Sequence, residues 1–247
     1  MNASKPSTFA IEKIARYARW TGAAAVFALM AGCATGPGAN RADPFEPLNR
    51  SVFRFNDAVD TAVLRPVATG YRNVVPSLVR TGVTNFFGNV SDVWSLANNV
   101  VQLKVQNSAE TFMRLNVNTF FGLGGLLDVA SDIGIERHRE DFGQTLGHYG
   151  VPAGPYLVLP LLGPSTVRDT AALPVDRYGD GLSAIQDIAW RNAFYGLRVV
   201  DARANFLRVS QMLEDAALDK YSFTRDAYLQ RRLSEVNDGN VPEEGGQ

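Results

Sequence analysis

The stretch from residue 150 to residue 164, GVPAGPYLVLPLLGP, constrains the fold of this chain more than any other part of its sequence. Four prolines and three glycines interrupt a strongly apolar run, so the segment cannot form a helix. Its backbone groups must therefore pair with a neighbouring strand, with buried protein groups or with water. Two hypotheses follow: a loop that simply crosses the core, or part of an apolar passage or rim.

Apolar residues recur at helical spacing through most of the chain around this segment. We predict helices over residues 51–64, 77–87, 91–103, 107–121, 180–200, 202–216 and 222–233. The first should end at Arg65-Pro66, and Gly88 should separate the second from the third. Asn107 and Glu110 have the spacing of a capping pair. The sequence thus predicts a mainly α fold with one non-helical, Gly/Pro-rich apolar segment.

The first 32 residues are typical of a cleaved export signal. Residues 1–19 carry four basic side chains and one acid, and residues 20–30 form an uncharged apolar run that is too short to span a bilayer. This run leads into Met30-Ala31-Gly32-Cys33, which resembles the bacterial lipobox. We predict a lipoprotein signal peptide over 1–32 and acylation of Cys33; the alternative is an incidental cysteine near an ordinary cleavage site.

The mature sequence is predicted to form one domain with two short ends. Residues 33–42 are rich in Gly and Pro and should be a flexible tether behind the acylated cysteine. Residues 43–235 contain neither a linker nor an apolar stretch of the roughly 18 residues that a spanning helix needs. Residues 236–247 are rich in Gly and acids, which predicts a disordered tail.

Charge and residue inventory exclude several classes of function. The net charge is −1 and no Lys/Arg-rich patch occurs, so nucleic-acid binding has no support. Two histidines and one cysteine cannot supply a zinc site or a disulfide framework, and we predict no metal and no cofactor. The glycines at 122, 124 and 125 follow a predicted helix and lack the last glycine of a dinucleotide-binding loop.

Catalysis has only weak support in the sequence. No nucleophile elbow, P-loop or HExxH pattern occurs. His148 could be combined with Asp141 and Ser165 into a hydrolytic triad, but any chain of this size offers such a triple. Acids between residues 128 and 141 alternate with Arg137 and Arg139, which is typical of a solvated charged face.

Several ordered motifs resemble one known family. They are DPFEPLNR at residues 43–50, DFGQTLG at 141–147, the 150–164 segment and the closing elements DAY and QRR at 226–228 and 230–232. Together with scattered matches between them, they are similar to the MlaA/VacJ family of outer-membrane lipoproteins over about residues 43–233.

The resemblance implies a single ring-like, mainly helical domain that lies in the inner leaflet of the Gram-negative outer membrane, lipid-anchored and facing the periplasm. Such a protein surrounds an amphipathic channel and associates with a trimeric porin. It removes mislocalised phospholipids from the outer leaflet and passes them to a soluble periplasmic carrier of an ABC transport system, which maintains lipid asymmetry without enzymatic activity. Two alternatives are a porin-associated structural lipoprotein without transport activity and an envelope phospholipid hydrolase.

Within this function, the apolar run and the flexible glycines are the candidates for bordering a lipid passage. The candidate residues are Gly122, Gly124, Gly125, Tyr156, Leu157, Leu159 and Leu161.

Overall fold

The structure is a computed structural model that describes residues 43–240. The predicted signal peptide, Cys33 and the whole of the predicted tether lie outside the described residues, as do residues 241–247 of the predicted tail.

Helices dominate the described part of the chain, which confirms the predicted mainly α fold class. The elements in chain order are α1 (Glu46–Val59), a π-helical turn (Asp60–Leu64), α2 (Arg65–Val74), α3 (Ser77–Val101), α4 (Val105–Phe120), α5 (Val129–Asp132), α6 (Phe142–His148), β1 (Tyr156–Leu159), β2 (Gly163–Thr166), α7 (Val167–Gly179), a 3₁₀ turn (Gly181–Ala184), α8 (Ile188–Ala216) and α9 (Lys220–Val236).

The predicted helix end at Arg65-Pro66 is wrong. The helix continues from α1 through the π-helical turn into α2, and Pro66 stands in the first turn of α2. A π-helical turn widens the backbone hydrogen-bond pattern, and a proline in a first turn needs no N–H of its own. Local widening of the helix therefore accommodates a residue that usually stops one.

The predicted break at Gly88 is also wrong, because α3 is one continuous helix of 25 residues. Gly88 has a packing role instead. A Cβ at this position would lie 2.8 Å from a guanidinium nitrogen of Arg137, so the missing side chain leaves room for that group. Packing against a neighbouring segment has overridden the low helix propensity of glycine.

The start of α4 differs from the predicted capping pair. Lys104 precedes the helix without a side-chain cap, and Asn107 makes no capping bond. Glu110 instead contacts Nε2 of His138 at 2.6 Å. The helix begins close to the predicted position, but the predicted capping pair does not determine its start.

The two helices predicted over 180–200 and 202–216 form a different arrangement. Residues 181–184 form the 3₁₀ turn, and α8 begins only at Ile188, where the Asp187 side chain accepts a hydrogen bond from the N–H of Trp190. From there α8 runs without interruption to Ala216. The aspartate cap sets the start of the helix.

Residues 156–166 form an antiparallel hairpin, which confirms that the apolar segment is not helical. Tyr156 pairs with Thr166 and Leu159 with Gly163. Leu161 and Gly163 have φ values of +63° and +84°, so the chain turns through left-handed conformations at the tip.

The charged segment between residues 128 and 141 is a solvated face only in part, which corrects the prediction. Asp132, Glu136 and Arg139 are exposed, but other acids of the segment form ion pairs. Arg114 donates to Asp128 at 2.6 Å while its own side chain is almost fully buried. Arg232 donates to both carboxylate oxygens of Asp141 at 2.7 Å. These acids therefore hold helices together from the inside, as buried ion pairs with hydrogen bonds on both partners.

Apolar side chains are abundant on the outside of the molecule. Phe120 and Phe121 at the end of α4 are 76% and 74% exposed, and Leu123 in the following loop is 70% exposed. Trp190 and Ile188 at the start of α8 are also exposed. Such a concentration of exposed apolar surface is typical of contact with a membrane or another protein. Among the helices of residues 43–240, none combines the length and the apolar character that crossing a bilayer requires.

Candidate functional site

A cavity of about 480 Å³ lies between α1, the β-hairpin, α8 and α9, and we call it the hairpin cavity. Elements that are far apart in the sequence contribute to its wall. The lining residues are Phe53, Asn56, Asp57, Asp60, Val158, Leu162, Gly163, Pro164, Arg203, Phe206, Ser210, Leu213, Glu214, Ala217, Lys220, Phe223 and Thr224.

Two asparagines of α1 bind the free edge of β1 along this wall. Asn49 donates to the carbonyl oxygen of Tyr156 at 3.0 Å and accepts from the N–H of Val158 at 2.9 Å. Asn56 donates to the carbonyl oxygen of Leu159 at 2.9 Å and accepts from the N–H of Leu161 at 2.8 Å. Each amide thus replaces part of the third strand that the hairpin lacks.

The spacing of the two asparagines explains why both reach the same strand. Asn49 and Asn56 are seven residues apart, or about two helical turns, so they lie on one face of α1. A strand rises by about 3.3 Å per residue, so two turns of helix match about three strand residues. This matches the step along the chain from Tyr156 to Leu159.

The buried face of the hairpin packs into an aromatic cluster beside the hairpin cavity. Tyr156 is fully buried, and Val158 and Tyr221 of α9 pack with it. Phe53 of α1 meets the Tyr221 ring edge-on, with 5.6 Å between ring centroids. The base of the hairpin is therefore fixed between α1 and α9, whereas its tip remains exposed: Leu161 and Leu162 are 66% and 70% exposed.

An ion pair forms the polar wall of the hairpin cavity. Arg203 of α8 donates to both carboxylate oxygens of Asp60 at 2.6 and 2.8 Å, and its third contact is Ser210 Oγ at 3.0 Å. Hydrogen bonding from Arg203 lowers the pKa of Asp60, although burial acts in the opposite direction. The pair is therefore charged at neutral pH. Asp60 is the first residue of the π-helical turn.

A second ion pair separates the hairpin cavity from a smaller pocket of about 250 Å³. Glu214 lines both spaces and accepts hydrogen bonds from Arg65, which lines only the smaller one. Lys220 Nζ lies 3.4 Å from the same carboxylate. Hydrogen bonding from Arg65 lowers the pKa of Glu214, so this carboxylate is also ionised at neutral pH.

Apolar side chains form the remaining wall. Phe53, Val158, Leu162, Phe206, Leu213 and Phe223 come from α1, the hairpin, α8 and α9. The hairpin cavity thus presents an apolar surface beside two ion pairs, a combination that suits a ligand with an apolar body and a charged end.

The four predicted hairpin candidates do not line this cavity themselves. Tyr156 points into the aromatic cluster, and Leu157 and Leu159 are half-buried. Their neighbours Val158 and Leu162 line the cavity instead. A passage bordered by the four candidates stays a prediction.

The three predicted glycines lie in the loop between α4 and α5, and they pack against other elements than the hairpin. A Cβ on Gly125 would lie 2.6 Å from the Cβ of Asn89 in α3, and Gly125 has a φ of +92°. A Cβ on Gly122 would lie 2.3 Å from the Leu127 carbonyl oxygen. Gly124, with a φ of +72°, has open space around it. These glycines allow a tight turn, and their part in a lipid passage stays a prediction.

Sequence reasoning missed the residues that build this site. Asparagine is a poor helix former, yet Asn49 and Asn56 both stand inside α1. Their spacing of seven residues, which puts them on one face of the helix, was the available signal for a side-chain role. Asp60 and Arg203 are 143 residues apart, so no local pattern connects them.

The proposed hydrolytic triad is not assembled. Ser165 Oγ contacts Thr170 Oγ1 at 2.9 Å, and Asp141 is bound to Arg232. His148 is exposed, and no hydrogen bond among residues 43–240 joins it to Ser165.

Comparisons with known proteins agree on one family. The sequence profile of the MlaA lipoprotein family matches residues 41–235. The chain is 35% identical to an intermembrane phospholipid transport system lipoprotein MlaA of Haemophilus influenzae over 223 residues, which cover 87% of this chain and 88% of the relative. The protein of the same name from Escherichia coli is 34% identical over 221 residues, or 86% of each chain.

One solved structure is similar over most of the fold. It was described as the structural basis for maintenance of bacterial outer membrane lipid asymmetry. It has a TM-score of 0.69 and 35% sequence identity, and the match covers 80% of this chain and 100% of that one.

Proposed function

Because this chain belongs to the MlaA lipoprotein family, we propose that it transports phospholipids between membranes and so maintains the lipid asymmetry of the outer membrane. In this function the protein takes mislocalised phospholipids out of the outer leaflet. It passes them to a soluble periplasmic carrier that serves an ABC transport system.

The observation that carries this proposal is the mixed wall of the hairpin cavity. A phospholipid needs apolar contacts for its acyl chains and polar contacts for its headgroup. A headgroup against apolar surface, or an acyl chain in water, costs on the order of several kcal/mol of free energy. Phe206 and Leu162 supply the first kind of surface, and the charged side chains in the same lining supply the second. The hairpin cavity is thus our candidate for the lipid passage, together with the neighbouring residues Leu157 and Leu159.

Membrane attachment is proposed to have two parts. Acylation of Cys33, after removal of residues 1–32, anchors the chain through the 33–42 tether. The exposed apolar side chains around Phe120 and Trp190 then place the 43–235 domain in the inner leaflet, facing the periplasm. A trimeric porin is the proposed partner in the membrane.

A matched pair of substitutions at the hairpin tip tests this function. Leu161 and Leu162 are adjacent and almost equally exposed, but only Leu162 lines the hairpin cavity. Since both side chains are exposed, arginine at either position should leave folding intact. Leu162→Arg places an unpaired charge in the apolar wall and should block phospholipid passage. Leu161→Arg is the control and should transport nearly as well as wild type.

The measurement compares outer-leaflet phospholipid in cells that express each variant, at equal protein abundance and equal porin association. Accumulation with Leu162→Arg alone supports the proposed passage. Full transport by Leu162→Arg at normal abundance contradicts it. Normal porin association with no transport in the wild type would favour the alternative of a structural lipoprotein.

A further inference from the structure

Most of the charge in the hairpin cavity is already neutralised within the protein. Both carboxylate oxygens of Asp60 accept from Arg203, whose remaining contact is Ser210. Glu214 accepts from both terminal nitrogens of Arg65. These two pairs have little hydrogen-bonding capacity left for a ligand.

Two charged side chains in the lining differ from this pattern. Asp57 is exposed, and among residues 43–240 its carboxylate has neither an ion pair nor a hydrogen bond. Lys220 carries three N–H donors. Among residues 43–240 its ammonium makes one ion-pair contact, with Glu214 at 3.4 Å. The cavity therefore offers one anionic group and one cationic group that can still bind a partner.

These two groups line the same cavity of about 480 Å³, Asp57 from α1 and Lys220 from the first residue of α9. Lys220 contacts Glu214 of the Arg65–Glu214 pair. The anionic and the cationic group thus face one shared space.

We propose that Asp57 and Lys220 form a headgroup site that selects zwitterionic phospholipids over anionic ones. Lys220 takes the phosphate, which every phospholipid carries, and Asp57 takes the ammonium, which only a zwitterionic headgroup supplies. An anionic phospholipid such as phosphatidylglycerol has no ammonium, so it leaves the carboxylate of Asp57 without a partner. This inference rests on the proposed function and names the substrate class for it.

The expected preference is modest, because both groups are accessible to water. Exposed ion pairs change an affinity by a factor of about two to five. The test uses the mature full-length protein in detergent micelles that contain equal amounts of phosphatidylethanolamine and phosphatidylglycerol with identical acyl chains. The lipid that remains bound after affinity isolation is quantified by mass spectrometry.

We expect the wild type to retain about two to five times more phosphatidylethanolamine than phosphatidylglycerol. Asp57→Asn should bring this ratio to about one through loss of phosphatidylethanolamine alone. Lys220→Met should lower the retention of both lipids. Glu136→Gln is the control, because this exposed acid lines a different cleft, beside His138 and Arg231, and should keep the wild-type ratio.

Lipids that bind to the outer apolar surface contribute equally to the wild type and the variants, so the difference between them reports on the cavity. Equal retention of both lipids by the wild type, or an unchanged ratio in Asp57→Asn, overturns the inference while leaving the proposed function intact. A wild type that retains neither lipid contradicts the proposed function, and the inference fails with it.

Discussion

The asparagines that hold the hairpin should differ in their contribution to stability, although both make the same pair of hydrogen bonds to its backbone. Asn49 also donates to Oδ1 of the buried Asp43 at 2.8 Å. Asn49 is 1% exposed, and the two backbone groups that it binds are buried with it. Asn56 is half-buried, and the chain that it binds runs into the exposed hairpin tip. We therefore predict that Asn49→Leu destabilises the protein more than Asn56→Leu does.

The magnitudes follow from the number of groups left without partners. Asn49→Leu leaves a buried N–H, a buried carbonyl and one oxygen of the buried Asp43 carboxylate unsatisfied, at about 1–3 kcal/mol each, or about 6 kcal/mol together. After Asn56→Leu, water can replace part of the lost contacts, so two ordinary hydrogen bonds are lost at about 1 kcal/mol each. For a domain of this size each kcal/mol lowers Tm by about 2–4 °C. The expected decreases are roughly 12–24 °C for Asn49→Leu and roughly 4–8 °C for Asn56→Leu.

Thermal unfolding of the mature protein in detergent, followed by tryptophan fluorescence, measures both decreases. Asn116→Leu is the control, since Asn116 donates only to the Phe112 carbonyl within its own helix, and its Tm should change little. The reasoning would be refuted if Asn56→Leu were as damaging as Asn49→Leu, or if neither lowered Tm more than the control does.

Two further predictions concern acid stability and the membrane anchor. Burial alone would raise the pKa of Asp141 and of Asp169, but hydrogen bonds from Arg232 lower both below the ordinary value of 3.8. A lowered pKa in the folded state stabilises the protein above the unfolded pKa, and this stability is lost as the pH falls. The Tm should therefore decrease on acidification below about pH 4, and a constant Tm from pH 6 to pH 3 would contradict this. The mature chain should begin at an acylated Cys33, which intact-mass measurement of membrane-extracted protein checks, and a Cys33→Ser variant that sorts normally would argue against the anchor.

The sequence predicted the class of fold because helical periodicity is a local property. It also predicted that residues 150–164 need partners for their backbone, but it could not show that side chains of α1 supply them. The errors at Pro66 and Gly88 arose because each residue usually interrupts a helix. A π-helical turn accommodates Pro66, and packing against Arg137 explains Gly88. The charge pattern predicts a solvated Asp128, because its arginine partner, Arg114, lies in a helix elsewhere in the sequence.

The candidate site was less predictable than the fold. Asp60 of the π-helical turn meets Arg203 of α8 only after the chain has folded. The prediction of an apolar, proline-broken rim came close to the cavity, since Leu162 and Pro164 line it. The charged half of the wall had no local signal, because its members come from α1, α8 and α9.

The central claim is that this protein moves phospholipid through the hairpin cavity. The most direct test reconstitutes the mature full-length protein with a porin in vesicles whose fluorescent phospholipid starts in the outer leaflet. Transfer of that lipid to a soluble periplasmic carrier is then followed over time. The account predicts transfer that depends on the protein and that stops with Leu162→Arg but not with Leu161→Arg. Transfer at the protein-free rate, or equal transfer by both variants, would contradict it.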